Sequence, residues 1–248
     1  METLTQEYLR IKEKWRFIKS DDAAQIEALI ESFRILFAYH SGKIENQAIT
    51  YHDTRDVFEN GNVKSYTGDV RSLFEIQNLR ACQAFLAQQA NEAHPIDEAL
   101  LLETHQLLTQ GTYDERHWQQ GERPGAYKQG DYVVGVSDTG LPSCEVPFAV
   151  AELLKEIQVC NQDNALTVAA YFHASLEAIH PFTDGNGRVG RALLNYLLDT
   201  NGHPPIIVYN EGKMAYFAAL QAWDSDSDLE PMKQFLIAET VKTWHDRI

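Results

Sequence analysis

Two apolar runs in the second half of the chain, LTVAAYFHASLEAIH and RVGRALLNYLLDTNG, limit its fold more than any other feature. In the first, Val168, Phe172, Leu176 and Ile179 recur at three- and four-residue steps, the spacing of one buried helical face. Between the runs lies HPFTDGNGRVGR, residues 180–191, crowded with residues that helices avoid. Pro181 pushes the residue before it out of helical geometry and ends the first helix. The second begins at about Gly187 or Arg188 and is stopped by Asn201 and Gly202. The chain must fold here as helix, glycine-rich loop, helix.

The same period recurs elsewhere. Ile26, Leu29, Ile30, Phe33, Leu36 and Phe37 mark a helix capped by Ser20 or Asp21, with acidic residues in its first turn. It continues, or restarts, through SGKIEN to end near Asn46, followed by a connection. Val70, Leu73, Phe74, Cys82, Phe85 and Leu86 mark a second helix. HPIDEALLLETHQLLTQG is a third, opened by Pro95 and closed by Gly111, and its His105 reads as a core histidine. Further helices follow at FAVAELLKEIQVC, at the two runs above, at GKMAYFAALQAWDSD and at DLEPMKQFLIAETVKTWHDRI. Only KQGDYVVGVSDTGLPSCEVP breaks the pattern, with β character in DYVVGV and a turn at SDTG, which predicts a short hairpin. Eight helices and one hairpin make an all-α domain over residues 21–248. Residues 1–20, with Ile11 and Trp15 among charges, read as a docking helix or a loose arm.

The chain has 248 residues, 44% of them hydrophobic, enough for one large core or two small ones. A formal net charge of −15 argues against a nucleic-acid partner, which requires a basic surface. The cysteines Cys82, Cys144 and Cys160 form no CxxC pair and suit a reducing compartment. No stretch approaches the roughly 18 apolar residues of a membrane span, so no membrane partner and a cytoplasmic location are expected.

The loop carries the chemistry. Gly185, Gly187 and Gly190 permit positive φ and close approach to a ligand. They lead into a helix whose first N–H groups lack internal partners, an anion-binding nest. Arg188 and Arg191 lie three apart, and their planar forks suit phosphate oxygens. Asp184 would repel a phosphate unless it holds a divalent cation, most naturally Mg²⁺. His180, with an ordinary pKa of about 6.5, is placed to accept a proton. Base, cation carboxylate and phosphate nest together indicate phosphoryl or nucleotidyl transfer. Phe182 reads as the loop's anchor in the core.

The segment His180–Arg191 resembles the Fic (Fic/Doc) family motif HPFx(D/E)GN(G/K)RxxR at every specified position. The hairpin ahead of it and DVRSLFEIQN look similar as well. The resemblance implies the Fic fold, a helical bundle with a hairpin flap that clamps an extended target segment. It implies transfer of AMP from ATP to a Ser, Thr or Tyr hydroxyl of a protein target, by a homodimer. His180 then corresponds to the base and Asp184 to the Mg²⁺ ligand. Gly185, Asn186, Gly187 and Arg188 correspond to the phosphate turn, and Arg191 to the γ-phosphate arginine. Gly187, where other members carry Lys and transfer phosphate, favours nucleotide transfer. Ser41–Asn46 fits the family's inhibitory pattern (S/T)xxxE(G/N), on a helix of about residues 35–47. Ser41, Glu45 and Asn46 then form an inhibitory element in which Glu45 pairs with Arg191, and Gln47 stands where a further Asn is usual. Two alternative functions stay open: removal of AMP by a water that Glu45 positions, and ATP binding without turnover.

Overall fold

The computed structural model describes residues 3–21, 23–64, 66–132 and 140–248, and of residues 20, 21, 23 and 24 the backbone alone. Among the described residues the elements are eleven α-helices: α1 (Leu4–Asp21), α2 (Ala23–Glu45), α3 (Tyr51–Asn60), α4 (Val70–Asn91), α5 (Glu98–Thr109), α6 (Glu115–Gln119), α7 (Val146–Glu156), α8 (Ala165–Ile179), α9 (Asn186–Thr200), α10 (Lys213–Asp226) and α11 (Glu230–Trp244). No described residue is in a strand. The tip of the expected hairpin, residues 133–139, lies outside the described residues.

The two runs that dominate the sequence become α8 and α9, the most extensively packed pair of helices. α8 is buried on almost every side, with Phe172 and Leu176 fully enclosed and Ala169, Ala170 and Ala174 letting neighbours approach. A helix apolar all round belongs in the middle of a domain. α7, α10 and α11 pack on α8, and α4 and α5 pack on α9. α2 runs unbroken through SGKIE to Glu45. It lies across α4 and α9, which brings its C-terminal end to the amino end of α9.

The structure decides between the two readings of the first helix, adds two helices absent from the sequence expectation, α3 and α6, and starts α5 late. Residues 4–21 form α1, so the docked form of the two readings holds: Ile11 and Trp15 are fully buried, and the Trp15 ring lies 4.8 Å from that of Trp244. Residues 51–60, read as a connection, form α3. Its signal is local: Thr50 accepts from Asp53 N at 3.1 Å, and Gly61 ends it at φ 80°. α6 is a five-residue turn capped by Asp114. α5 starts later than Pro95, where Asp97 accepts from Leu100 N at 2.8 Å.

Three histidines are enclosed by this packing. Burial lowers His105 to about 4, and His173 and His203 to about 3. At His203 the nearby charges of Lys12 and Arg16 reinforce the burial. Each ring folds neutral, whereas in the unfolded chain it takes a proton near pH ~6.5. Their contribution is therefore fully present above about pH 6.5 and is lost as pH falls toward the folded values, at about 1.4 kcal/mol per pH unit for each ring. The thermal midpoint is expected to drop steeply between about pH 6.5 and 4, measured by circular dichroism across a pH series. A flat midpoint over that range would contradict the burial of these three rings.

Candidate active site

α8 ends at His180, which adopts φ 51° and donates its N–H to Leu176 O at 3.0 Å. A left-handed, non-glycine residue is strained, and such strain persists only where the surroundings impose it. Here they do. Lys128 N donates to Pro181 O at 2.9 Å and Leu141 N to Ile179 O at 3.1 Å, so both roots of the expected flap grip the backbone around His180. Asp131 Oδ1 accepts from Ser143 N at 2.7 Å and closes the two roots on each other.

The turn that follows is closed by Asn186. Its side-chain oxygen accepts from Phe182 N at 2.9 Å, and its amide donates to Phe182 O at 2.7 Å. Phe182 is fully buried, and His105 lies flat on it at 3.8 Å between ring centres. Gly125 N donates to His105 Nδ1 at 2.9 Å, which leaves the ring proton on Nε2, 3.1 Å from Asp184 O. The core histidine is thus also a clamp on the loop.

Of the three glycines expected to free the backbone, only Gly185 uses positive φ, at 92°. Gly187 and Gly190 lie inside α9 and serve close approach instead. A Cβ on Gly187 would strike Glu45 and lie 2.7 Å from Arg191 Nη1; one on Gly190 would strike His173 of α8. The first intrahelical bond of this turn runs from Val189 N to Gly185 O at 3.0 Å, so the N–H groups of Asn186, Gly187 and Arg188 precede it at the open amino end.

Arg191 sits one turn in and is 1% exposed. Its Nη2 pairs with Glu45 Oε1 at 2.7 Å and also donates to Ser41 O at 3.0 Å. Its Nε donates to Ser41 Oγ at 3.0 Å and its Nη1 reaches Tyr216 OH at 3.4 Å. Burial opposes the charge, but Glu45 and its neighbours outweigh it and raise the Arg191 pKa. Glu45 is the last residue of α2, and its side chain remains 39% exposed. Asn46, next to it, donates to Ser72 Oγ at 2.9 Å and to Glu75 Oε2 at 2.7 Å, which ties the end of α2 to α4. Ser41, Glu45 and Asn46 therefore act as three separate fastenings of one helix end.

Arg188 differs from its expected place beside Arg191 over the helix end. It is 2% exposed and turns the other way, with Nη2 on Asp184 Oδ1 at 2.9 Å and Nη1 at 3.5 Å from Leu108 O. The other Asp184 oxygen, Oδ2, accepts from Arg71 at 2.7 Å. Burial opposes ionisation of Asp184, but Arg188 and Arg71 outweigh it and hold its pKa below the usual carboxylate range. Its side chain is 27% exposed, and its two oxygens offer about four lone-pair positions, more than the two arginines occupy. An ionised, partly open carboxylate fits Mg²⁺, which takes one or two protein ligands and completes its shell from phosphate and water.

Sequence reading missed Arg71, Glu75, His173 and Tyr216. Arg71 and Glu75 lie more than 100 residues from the loop, and Tyr216 enters only because α10 packs on α8. The His173 Nε2 pairs with Tyr216 OH at 2.7 Å beneath Arg191. Arg71 and Glu75 lie in DVRSLFEIQN, which looks family-like as a segment, but none of the four carries a local signal of its contact with the site.

These contacts describe a helical domain that offers an anion the amino end of its central helix, with a glutamate of the same chain seated on the arginine there. Residues 95–198 match the family model described as Fic/DOC family. It is 28% identical over 207 residues to protein adenylyltransferase fic-1 of Caenorhabditis elegans, covering 81% of this chain and 38% of that one. With protein adenylyltransferase Fic of Drosophila grimshawi it shares 28% over 211 residues, covering 83% and 41%. The chain thus spans about two fifths of the length of these curated relatives. Its fold is that of a Fic domain containing signaling protein from Bacteroides thetaiotaomicron, with a TM-score of 0.83 at 21% identity, covering 96% of this chain and 93% of that one. A Fic family protein from Desulfovibrio desulfuricans G20 aligns with a TM-score of 0.78 at 25% identity, covering 98% and 72%. No helix among the described residues is long and apolar enough to cross a membrane.

Proposed function

We propose that this chain transfers AMP from ATP to a hydroxyl side chain of a protein, and that Glu45 holds the activity in check. The observation that carries the reading is the rigid turn from His180 to Gly185. Both ends are left-handed, and reciprocal Asn186–Phe182 bonds close it, so one short turn carries an imidazole at one end and the open N–H groups of α9 at the other. The curated relatives of similar sequence are named protein adenylyltransferases, which supports the same chemistry here.

In this reading the polyphosphate lies along the amino end of α9, with its negative charge on the N–H groups of Asn186, Gly187 and Arg188. His180 accepts the proton of the incoming hydroxyl, whose oxygen attacks the α-phosphorus as pyrophosphate leaves. Gly187 leaves the space beside Arg191 that either Glu45 or a terminal phosphate fills, since any side chain there would collide with Glu45. Asp184 would hold Mg²⁺, which when bound supplies neutralising charge to the phosphate oxygens. Arg188 keeps Asp184 in place. The flap roots that grip Ile179 and Pro181 set the target hydroxyl beside His180, as strand-like peptide capture requires.

Two labelled nucleotides test the reaction class. With ATP labelled at the α-phosphorus, protein in a cell lysate is expected to become labelled; with label at the γ-phosphorus it is not. Label from the γ position alone would make the chain a kinase and reject the reading.

A further inference from the structure

Asp184 is held on both oxygens, and its two partners differ in kind. Arg188 is enclosed, at 2% side-chain exposure, one helical turn away. Arg71 comes from the first turn of α4 and is 45% exposed. Its tether is a single point: its Nε donates to Glu75 Oε1 at 3.0 Å. Glu75 is buried and fixed from elsewhere, accepting from Asn46 at 2.7 Å and lying 3.8 Å from Arg188 Nη1. The Nε contact is therefore a pivot. The half-exposed side chain also places Nη2 on Asp184 at 2.7 Å. A carboxylate beside a polyphosphate nest is a liability, because its charge repels the ligand that the nest is built to take.

Resting on the nucleotide reading above, we propose that Arg71 is the resident counter-cation of Asp184. Beside the fixed Arg188 it is the exchangeable partner, and it offsets the rest of the carboxylate's charge so that the nest accepts a polyphosphate ahead of its divalent cation. When the cation arrives, the guanidinium turns on its Glu75 pivot from the carboxylate to the phosphate oxygens. Arg71 thus acts first through Asp184 and, once the cation is in place, on the phosphate. Its fork geometry suits both partners, since a guanidinium pairs bidentately with carboxylate and phosphate alike. Asn46 and Arg71 share Glu75, so the end of α2 that carries Glu45 is anchored to the same buried carboxylate as the pivot.

The test uses the full chain and ADP, which lacks the γ-phosphate and so does not require Glu45 to move. Binding is measured by isothermal titration in EDTA and again in excess Mg²⁺, for the unsubstituted chain, Arg71→Gln and Arg71→Lys. In EDTA, Arg71→Gln is expected to weaken ADP binding about tenfold, a modest figure because the side chain is half exposed. In Mg²⁺ the loss shrinks to about twofold, since the cation then does the neutralising. Arg71→Lys, which keeps the charge, restores most of the affinity in EDTA. Thermal midpoints of the three proteins confirm that each is folded. Equal weakening in both arms would make Arg71 an ordinary phosphate contact and overturn the proposal, as would no change in either. If the unsubstituted chain binds ADP in neither arm, the nucleotide reading itself fails, and this inference with it.

Discussion

Glu45→Gly is expected to raise AMP transfer by about 10²-fold over the unsubstituted chain. The pair it removes is lopsided. Arg191 is enclosed, whereas the Glu45 side chain is 39% exposed at the end of α2. A buried guanidinium that loses its partner is costly, of order 3–5 kcal/mol, and this preference keeps Glu45 seated. Exposure of Glu45 to water reduces the figure toward the lower end, about 3 kcal/mol. Each ~1.4 kcal/mol corresponds to about tenfold in the competent fraction, which leads to the hundredfold gain. The fold should tolerate the change. Arg191 keeps both contacts to Ser41 and its contact to Tyr216, and bound ATP phosphates replace the lost carboxylate. Incorporation of α-labelled AMP on matched samples of the two proteins measures the effect. No gain would remove Glu45 from the regulation. A gain-free protein that also loses release of AMP from a modified target would reverse the assignment, making Glu45 the residue that positions water.

His180→Ala is expected to lower the rate of transfer by about 10²–10⁴-fold, the range for a general base. The substitution isolates chemistry from folding for a structural reason. His180 caps α8 at φ 51°, a conformation strained for any residue with a Cβ, so alanine inherits the same strain rather than adding to it. The backbone contacts from Lys128 and Leu141 go to its neighbours Pro181 and Ile179 and stay in place. Nucleotide affinity should therefore change little while the turnover rate collapses. Rates with α-labelled ATP, set beside ADP titration, separate the two. Near-full transfer by the variant would reject the assigned role.

Much of the site is legible along the chain because its parts are local. Pro181 and the glycines announce the break between α8 and α9, and the apolar steps of Phe172, Leu176 and Ile179 announce the burial of α8. The caps of α3 are also local, in Thr50, Asp53 and Gly61, but the polar surface of Tyr51–Asn60 masks its helical period. Arg188 shows where such reading stops. Its spacing from Arg191 permits both to lean over one helix end, yet Asp184 one turn away and Leu108 from α5 draw it aside. A three-residue spacing defines a shared face, but it carries no information about which partner on another helix competes for the side chain.

Short-range rules were enough to settle the helix–loop–helix at the centre, the open amino end of α9 and the identity of the residues around it, though not which of the three glycines would be left-handed. Torsional limits and hydrophobic period act over a few residues, and these features span no more than that. Long-range packing settled the rest: that Glu45 reaches Arg191 across 146 positions, that Arg71 faces Asp184, and that Tyr216 and His173 lie beneath the guanidinium. Those contacts exist because α2, α4 and α10 pack their apolar faces on α8 and α9, and packing brings along whatever polar residues stand at the helix ends.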